Sequence, residues 1–578
     1  MFRRTKKIAS LLLASASVVS LMPTAAFAAD VKKVDSQDGT VYNAVAYKDG
    51  KVYIDAEIND KDEASYYLVG GKYNELSDID AGSDTATYGT KYVNLSDGDN
   101  FVDLTNGKVT DESIDENTRD DAATNLKKKV KADTDGRYLK DGNKYAADYV
   151  QTIDETNDIP NAKFGESWYY VKLANKDATN GFAAQSSNGV ATLNVFTDDN
   201  GNYIDADYNL GKIKVTTTTA SVVKSEYIEN TNDTYDTASS KDSLSATVAQ
   251  DKVIGQDKDY IYRIVTVTVK NTDNHSTIYE IGGKSISDSN VYRPVTNGYE
   301  FTAVQKISKA QNSDEIGGAK YAKTVTTYII CDEDGKKASD DFASYTNFAI
   351  ANGKVTGYTI SGSKVKIQTA ELKSDNGLYY TDLNDSSDED IEDSSNCVEV
   401  DANGNVWRLD SGNIYQWDND SDWNKVYKVD GSFNKMSVYD ADNIVAWNED
   451  DEVYAVIGGK TDTKDADTTT SAAVTTTTAT GWAKAADGTW HYVKADGTNA
   501  TGWLQDGANW YYLNTAGVMQ TSWVSDNENW YYLNASGVMQ TGWVNDNGTW
   551  YYLNASGAML SNTTVDGYVL GANGAWIN

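Results

Sequence analysis

The residues of this chain best placed to do chemistry are its aromatic rings. Trp503, Trp523 and Trp543 recur every 20 residues, Trp510, Trp530 and Trp550 recur in step, and so do Met519, Met539 and Met559. The second tryptophan of each set opens a W-Y-Y triplet, as in "NWYYLNTAGVMQTSW" from Asn509, "NWYYLNASGVMQTGW" from Asn529 and "GTWYYLNASGAMLSN" from Gly548. Electron-rich rings with few charges nearby suit a quaternary ammonium group. Cation–π attraction contributes about 0.5–2 kcal/mol per ring, and a permanently charged cation without an N–H needs no hydrogen-bond acceptor.

Other chemistries find less to work with. The chain has two histidines, His275 and His491, and the second stands where the other copies have Tyr. Zinc hydrolases need several imidazole ligands, and a cysteine nucleophile needs a base beside it, whereas His275 in "NTDNHSTIYE" reads as a polar loop residue. A glycosidase needs only two carboxylates about 5–9 Å apart, which 86 acidic residues do not exclude by number. Glycosidase barrels, however, alternate strand and helix, and this chain runs strand after strand. No nucleophile elbow or phosphate loop occurs. The expectation is a non-enzyme with no catalytic residue, no metal and no cofactor.

A 20-residue period means stacked supersecondary units rather than one globular domain. Each unit reads as a β-hairpin. In "GWLQDGANWYYLN" an Asp506-Gly507 turn would pair Trp503 with Trp510, while in "GWVNDNGTWYYLN" an Asn547-Gly548 turn would set Trp543 opposite Tyr552. The two registers differ by two residues, so under either one Trp503, Trp510 and Tyr512 share a face, with Tyr511 and Leu513 on the other. An isolated hairpin is barely stable, so one face must pack along the stack; Tyr511, Leu513 and Met519 are the expected spine. The first copy is looser, with Trp482 and Trp490 in register and "WHYV" for "WYYL". The last, "VDGYVLGANGAWIN", is degenerate, as the end of a stack should be.

"TGWVNDNGTWYYLNASGAM" resembles the choline-binding repeats of Gram-positive surface proteins and autolysins, and the resemblance extends over Gly481–Asn578. The chain as a whole resembles a clostridial choline-binding surface protein. In that family each site lies between successive hairpins, so the resemblance implies one choline site of Trp503, Trp510 and Tyr532, another of Trp523, Trp530 and Tyr552, and a third of Trp482, Trp490 and Tyr512. Trp543 and Trp550 have only Tyr568 after them, and no site is assigned there. Ser522 departs from the glycine usual before the leading Trp. The implied partner is choline-substituted teichoic acid or another wall polysaccharide, with choline as ligand. Related repeats bind sugars, so a glucan-binding protein and an autolysin with an unrecognised glycosidase domain are the alternatives.

The N-terminus reads as a secretory signal over 1–28. Arg3, Arg4, Lys6 and Lys7 precede the apolar run Ile8–Met22 and the A-x-A site Ala26-Phe27-Ala28. The run is too short to span a bilayer, and "GANGAWIN" offers no anchor, so attachment outside the cell, at a Gram-positive wall, is expected to be non-covalent without membrane insertion. A formal net charge of −35 disfavours nucleic acid. The acidic run Asp382–Asn396 lacks calcium-loop spacing and reads as a solvated loop. Cys331 and Cys397 are too few for a disulfide framework, so stability must come from apolar burial.

Alternating segments between Asn, Asp and Gly turns, such as "TVYNAVAY", "GKVYIDAEI" and "YIYRIVTVTVKN", predict antiparallel strands, and "TRDDAATNLKKKVKADTDG" predicts one helix. The fold class is mainly β, with antiparallel β-rich N-terminal domains followed by a hairpin solenoid. The expected divisions are 29–220, 221–460 (with propeller-like blades in 395–459), a threonine-rich linker 461–480, and repeats 481–578.

Overall fold

Alternation becomes strand wherever β-branched and aromatic residues lie between turn formers, and the hairpin Thr40–Tyr47 with Lys51–Glu57 shows how. Its turn places Asp49 at φ 62 and Gly50 at φ 65, left-handed angles that Asp tolerates and Gly favours. This computed structural model describes residues 31–458 and 481–577, except 59–62, 80–81, 84, 90, 96–98, 134–135, 139, 142–143, 146–152, 161–166, 175–191, 338–341, 394, 485–489, 495–499, 501, 507–508, 515–517, 527–528, 535–536, 547–548, 555, 562, 566 and 572–573. The expected signal segment 1–28 and linker 461–480 lie outside the described residues. The chain divides into two compact units, Met1–Thr461 and Asp462–Asn578. No helix among the described residues is long and apolar enough to cross a membrane.

In the first unit the described strands form eight sheets, mostly antiparallel. Six of them carry the strand groups numbered here as sheets 1 to 7, the eleven-stranded one supplying groups 4 and 5. The other two are the four-stranded sheet of Asn209–Thr218, Val223–Asn230, Thr277–Ile281 and Lys284–Ser285 and the hairpin of Lys140–Asp141 and Lys144–Tyr145. Sheet 1 runs from Thr40 to Glu75 and sheet 2 from Thr85 to Thr110, each four strands in sequence order. Sheet 3 is built on Trp168–Ala174, Thr192–Asp198 and Tyr203–Asp205, extended by the hairpin of Gln311–Ile316 and Ala319–Ala322. Sheet 4 comprises Ser243–Gln256, Tyr260–Asn271, Gly298–Ser308 and Val325–Ile329. Sheet 5 comprises Asn347–Ala351, Lys354–Ser361, Lys364–Asp375 and Leu378–Leu383, and the parallel bridge Ile329↔Tyr380 joins it to sheet 4. Sheets 6 (Val398–Lys428) and 7 (Lys435–Ile457) complete the series.

Neighbouring sheets meet in a closed order, from sheet 1 through sheet 7 and back to sheet 1. Val41, Ile54 and Leu68 of sheet 1 share a core with Val445, Trp447 and Tyr454 of sheet 7, and Val45 and Tyr53 share another with Val93 and Val102 of sheet 2. Tyr88 Oη lies 3.3 Å from Tyr169 Oη, linking sheets 2 and 3. Phe196 and Ile204 meet Ile261 and Ile307 between sheets 3 and 4, and Tyr262 and Val304 meet Phe348 and Val355 between sheets 4 and 5. One core holds Val365 and Ile367 of sheet 5, Trp407 and Trp417 of sheet 6, and Val438 and Ala446 of sheet 7. The ring is clasped from its own N-terminus: Gln37–Asp38 pairs antiparallel with Val453–Tyr454 as the fourth strand of sheet 7. Gly404, at φ 83, brings the first turn of sheet 6 so close to the Ile350 carbonyl that a Cβ would collide with it.

Several expectations change. The division at 220/221 falls in a tight hairpin: Asn209–Thr218 and Val223–Asn230 pair directly through the turn at Thr219–Val222 and pack with sheet 4. Residues up to 461 therefore form one unit, and the segment 395–459 carries the strands of sheets 6 and 7. The cause is range: a two-blade echo is visible in one stretch of sequence, whereas ring closure depends on contacts between distant strands. Within the acidic run, Ser387–Asp390 is an edge strand on Lys364–Asp375, with Lys364 Nζ 3.4 Å from Asp388 and 3.3 Å from Asp390. Cys331 and Cys397 are free thiols in different cores.

The expected helix is α1 (Ile114–Asp133), starting four residues earlier than its sequence signal. Asp115 and Glu116 occupy its first turn and Lys131 its last, as the helix dipole favours. Ala122, Ala123, Leu126 and Val130 form the stripe that packs on Tyr169, Val171 and Leu173 of sheet 3.

Two buried carboxylates are neutralised within the ring. Arg137 Nε is 2.7 Å from Asp205, and Arg263, with no exposed surface, is 2.9 Å from Asp207. Asp55 has no such cation. Burial, reinforced by nearby Glu63, pushes its carboxyl up to about 6 from the ordinary 3.8, although the Gly82 N–H donates to it at 2.8 Å. A raised acid stabilises the fold in its protonated form. That contribution is complete below pH 3.8, shrinks as the pH climbs to about 6, and is gone above it. Asp55→Asn keeps an acceptor for Gly82 and removes the buried charge. The variant should match wild type near pH 4 and melt higher at pH 7, by on the order of 1–3 kcal/mol; equal melting curves at both pH values would contradict this.

Candidate functional site

The repeat unit is built on leucine. Leu513, Leu533 and Leu553 each have no exposed surface, and Leu570 has 1%. Each leucine ends a hairpin strand and bridges the following methionine, Leu513 to Met519, Leu533 to Met539 and Leu553 to Met559. Successive units are then tied by backbone: Met519, Met539 and Met559 N–H groups donate to the Trp490, Trp510 and Trp530 carbonyls at 2.7, 2.8 and 2.7 Å. Gly537, Gly557 and Gly574 sit directly against the methionine of the preceding unit, Met519, Met539 and Met559, where a Cβ would overlap the thioether. Leucine and methionine form the expected spine.

All three regular hairpins share one register. Trp503 faces Tyr512, Trp523 faces Tyr532 and Trp543 faces Tyr552. This is the second of the two open registers; the pairing of Trp503 with Trp510 does not occur, and Gln505 faces Trp510 instead. The ladder runs from Gly502 opposite Leu513 to Asp506 opposite Asn509, so two residues connect the strands and fix this register. The turn residues 507–508 and 547–548 lie outside the described residues.

The ring contacts between units follow from the pleat. Trp503 is 5.1 Å from Tyr512 of its own hairpin and 4.7 Å from Tyr531 of the next. Trp523 repeats this with Tyr532 at 5.1 Å and Tyr551 at 4.8 Å, and Trp482 with Tyr492 at 5.4 Å and Tyr511 at 4.6 Å. All are edge-to-face. The resemblance implied Tyr532, Tyr552 and Tyr512 as the rings contributed by the following unit. The structure puts those three beside the leading Trp of their own hairpins, and the ring that crosses to the preceding unit is one residue earlier. Tyr511 thus leaves the expected spine. A residue on the front of its own hairpin faces away from the unit behind, whereas the back-facing residue meets that unit's leading tryptophan. The alternation already placed Tyr511 opposite Trp503; the missing signal was which face of one hairpin packs on the next.

The second tryptophans are the exposed rings of the repeats. Trp490, Trp510, Trp530 and Trp550 are 41%, 40%, 47% and 41% exposed, unusual for the largest apolar side chain. At the end of the stack Trp543, Trp550, Tyr568 and Trp576 enclose a cleft of about 280 Å³ whose lining is aromatic throughout. After Lys494 the chain contains no lysine or arginine, so no cation from residues 495–578 can occupy these rings. The arrangement can hold a small cation without N–H donors; it offers a sugar few of the hydrogen-bonding groups its hydroxyls require.

The groups considered for catalysis lie elsewhere. His275 Nδ1 is 3.1 Å from Asp242, which also receives the His275 and Ser276 N–H groups and the Ser276 hydroxyl. These bonds outweigh burial and hold the Asp242 carboxyl well below the usual range. The hydroxyl beside the pair bonds the carboxylate rather than the imidazole. Burial pushes the Cys331 thiol up to about 12 and Cys397 up to about 11, away from the thiolate that a nucleophile needs. Among the described residues, no group of three or more His, Cys, Asp or Glu is placed to hold a metal ion.

Comparison with known proteins bears on the same segment. The family model "Choline-binding repeat" matches residues 520–563, and a "cell wall binding repeat" model matches 480–498 and 501–519. No curated protein sequence matches the chain. Among solved structures, the choline binding domain of Spr1274 in Streptococcus pneumoniae is 46% identical over 14% of this chain and 96% of its own, with a TM-score of 0.13. Choline binding protein F from Streptococcus pneumoniae is 22% identical over 44% of this chain and 96% of its own, with a TM-score of 0.17. The modular autolysin LytC from Streptococcus pneumoniae, in complex with a synthetic peptidoglycan ligand, is 28% identical over 17% of this chain and only 28% of its own, with a TM-score of 0.12. The repeats are binding modules for choline of wall polymers and give non-covalent wall attachment. Through its C-terminal unit the chain is a member of the choline-binding repeat family.

Proposed function

We propose that this is an exported surface protein of a Gram-positive bacterium. Its solenoid grips choline residues of a wall polymer such as choline-substituted teichoic acid, and residues 29–460 are displayed outward as a non-catalytic ring of sheets. The observation that carries this reading is the row of half-exposed tryptophans over edge-to-face Trp–Tyr pairs, in a segment without basic residues after Lys494. The sites are Trp482, Trp490 and Tyr511; Trp503, Trp510 and Tyr531; and Trp523, Trp530 and Tyr551. One such box binds weakly, but several on one stack facing a polymer raise the effective concentration and so the retention, by about 10²–10⁴-fold.

The test is elution. Protein bound to an amine matrix or to choline-bearing walls should be released by free choline and not by glucan oligosaccharide, and a chain ending before Gly481 should not be retained. Release by the oligosaccharide alone would replace choline with sugar as ligand. Full retention of the shortened chain would remove the solenoid from the attachment altogether.

A further inference from the structure

The last fifteen or so residues depart from the repeat, yet their backbone keeps its positions. Gly574 abuts Met559 as Gly557 abuts Met539. Ala575 bridges Tyr551 as Ala558 bridges Tyr531, and the Gly571 N–H donates to the Ala575 carbonyl at 2.8 Å as Asn554 does to Ala558. Trp576 therefore occupies the position of Met559 and Met539, two residues beyond the packing glycine. In the regular units this methionine donates its backbone N–H to the carbonyl of the second tryptophan of the preceding hairpin.

The substitution turns the end of the stack into a different box. Tyr568 stands edge-on to both Trp543, at 5.4 Å and 79°, and Trp576, at 5.2 Å and 89°. With Trp550 these rings line the open cleft of about 280 Å³. That volume lies just below the range of about 300–1,000 Å³ for pockets that take drug-sized molecules, and suits a small headgroup. A methionine offers one polarisable sulfur, whereas an indole offers the strongest cation-binding face among side chains.

We propose that Trp543, Trp550, Tyr568 and Trp576 form a fourth quaternary-ammonium site, and that it is the tightest of the row because Trp576 replaces the methionine of the regular units. This rests on the choline reading above, and deepens it: the segment Thr563–Ile577 completes the strongest binding position. The extra ring predicts affinity about threefold to tenfold above that of the internal sites.

Choline titration of the intact protein, followed by calorimetry and by tryptophan fluorescence, tests this. Wild type should show one tight site ahead of a weaker class. Trp576→Met restores the residue of the regular units, so it should fold, keep the total stoichiometry and merge the tight site into the weaker class. Trp576→Ala should lose the tight class, with the near-ultraviolet dichroism of the other repeats retained. Isotherms of Trp576→Met that superimpose on wild type would overturn the inequality while leaving choline binding intact. Absence of choline heat in wild type would overturn both this inference and the reading on which it rests.

Discussion

Replacing Trp510 and Trp530 together by alanine is expected to lower retention on choline-bearing walls by more than tenfold, with no change in the melting of residues 29–460. Each indole is 40% or 47% exposed, so its removal opens no cavity in the leucine spine beneath. Each removal subtracts one cation–π partner, about 0.5–2 kcal/mol, from a different box. Because polymer binding multiplies the boxes, weakening two reduces retention far more than either alone. The measurement is the bound fraction against choline concentration, beside a thermal scan. Unchanged retention would mean that these rings do not contact the ligand, and would count against every box of the same design.

The other large effect lies in the ring of sheets. Arg263→Ala should destabilise the first unit by about 3–5 kcal/mol, because it strands a buried charge. Arg263 donates to Asp207 at 2.9 Å, to Gln305 at 2.9 Å, to Gln250 at 3.1 Å and to the Ala206 carbonyl at 2.6 Å. Burial already pushes the Asp207 carboxyl up against the opposing pull of this guanidinium. Without it the carboxylate must protonate or hold a buried charge beside Asp205, with the Asn194 N–H groups still donating to it. The loss should therefore shrink as the pH falls, and adding Asp207→Asn should recover part of it. A melting temperature for Arg263→Ala equal to that of wild type would show that water reaches the site and replaces the arginine.

Neither of these charges announced itself in the sequence. "YIYRIVTVTVKN" reads as a strand whether Arg263 points to solvent or inward, and the structure buries it completely. A strand's period says which residues share a face; it does not say what covers that face. The same limit explains the misplaced division near 220. The hairpin of Asn209–Thr218 and Val223–Asn230 is locally indistinguishable from a connector rich in threonine, and only its packing with sheet 4 makes it interior to a unit. It also explains why the blades were visible only in 395–459, where their Trp-bearing strands echo one another.

The repeats behave differently, since their information is local and periodic. From the sequence alone came the strands, the helix with its charge order, the 20-residue step, the shared face of Trp503 and Trp510 and the leucine–methionine spine, because each follows from side-chain spacing within a few residues. The tertiary structure alone decided the rest. It completed the sheet of Lys435–Ile457 with Gln37–Asp38, chose Tyr531 over Tyr532 as the ring that crosses between hairpins, and brought Trp576 to a methionine's place. Those outcomes depend on which surface one element presents to another, and that is fixed by packing between segments whose separation along the chain carries no period.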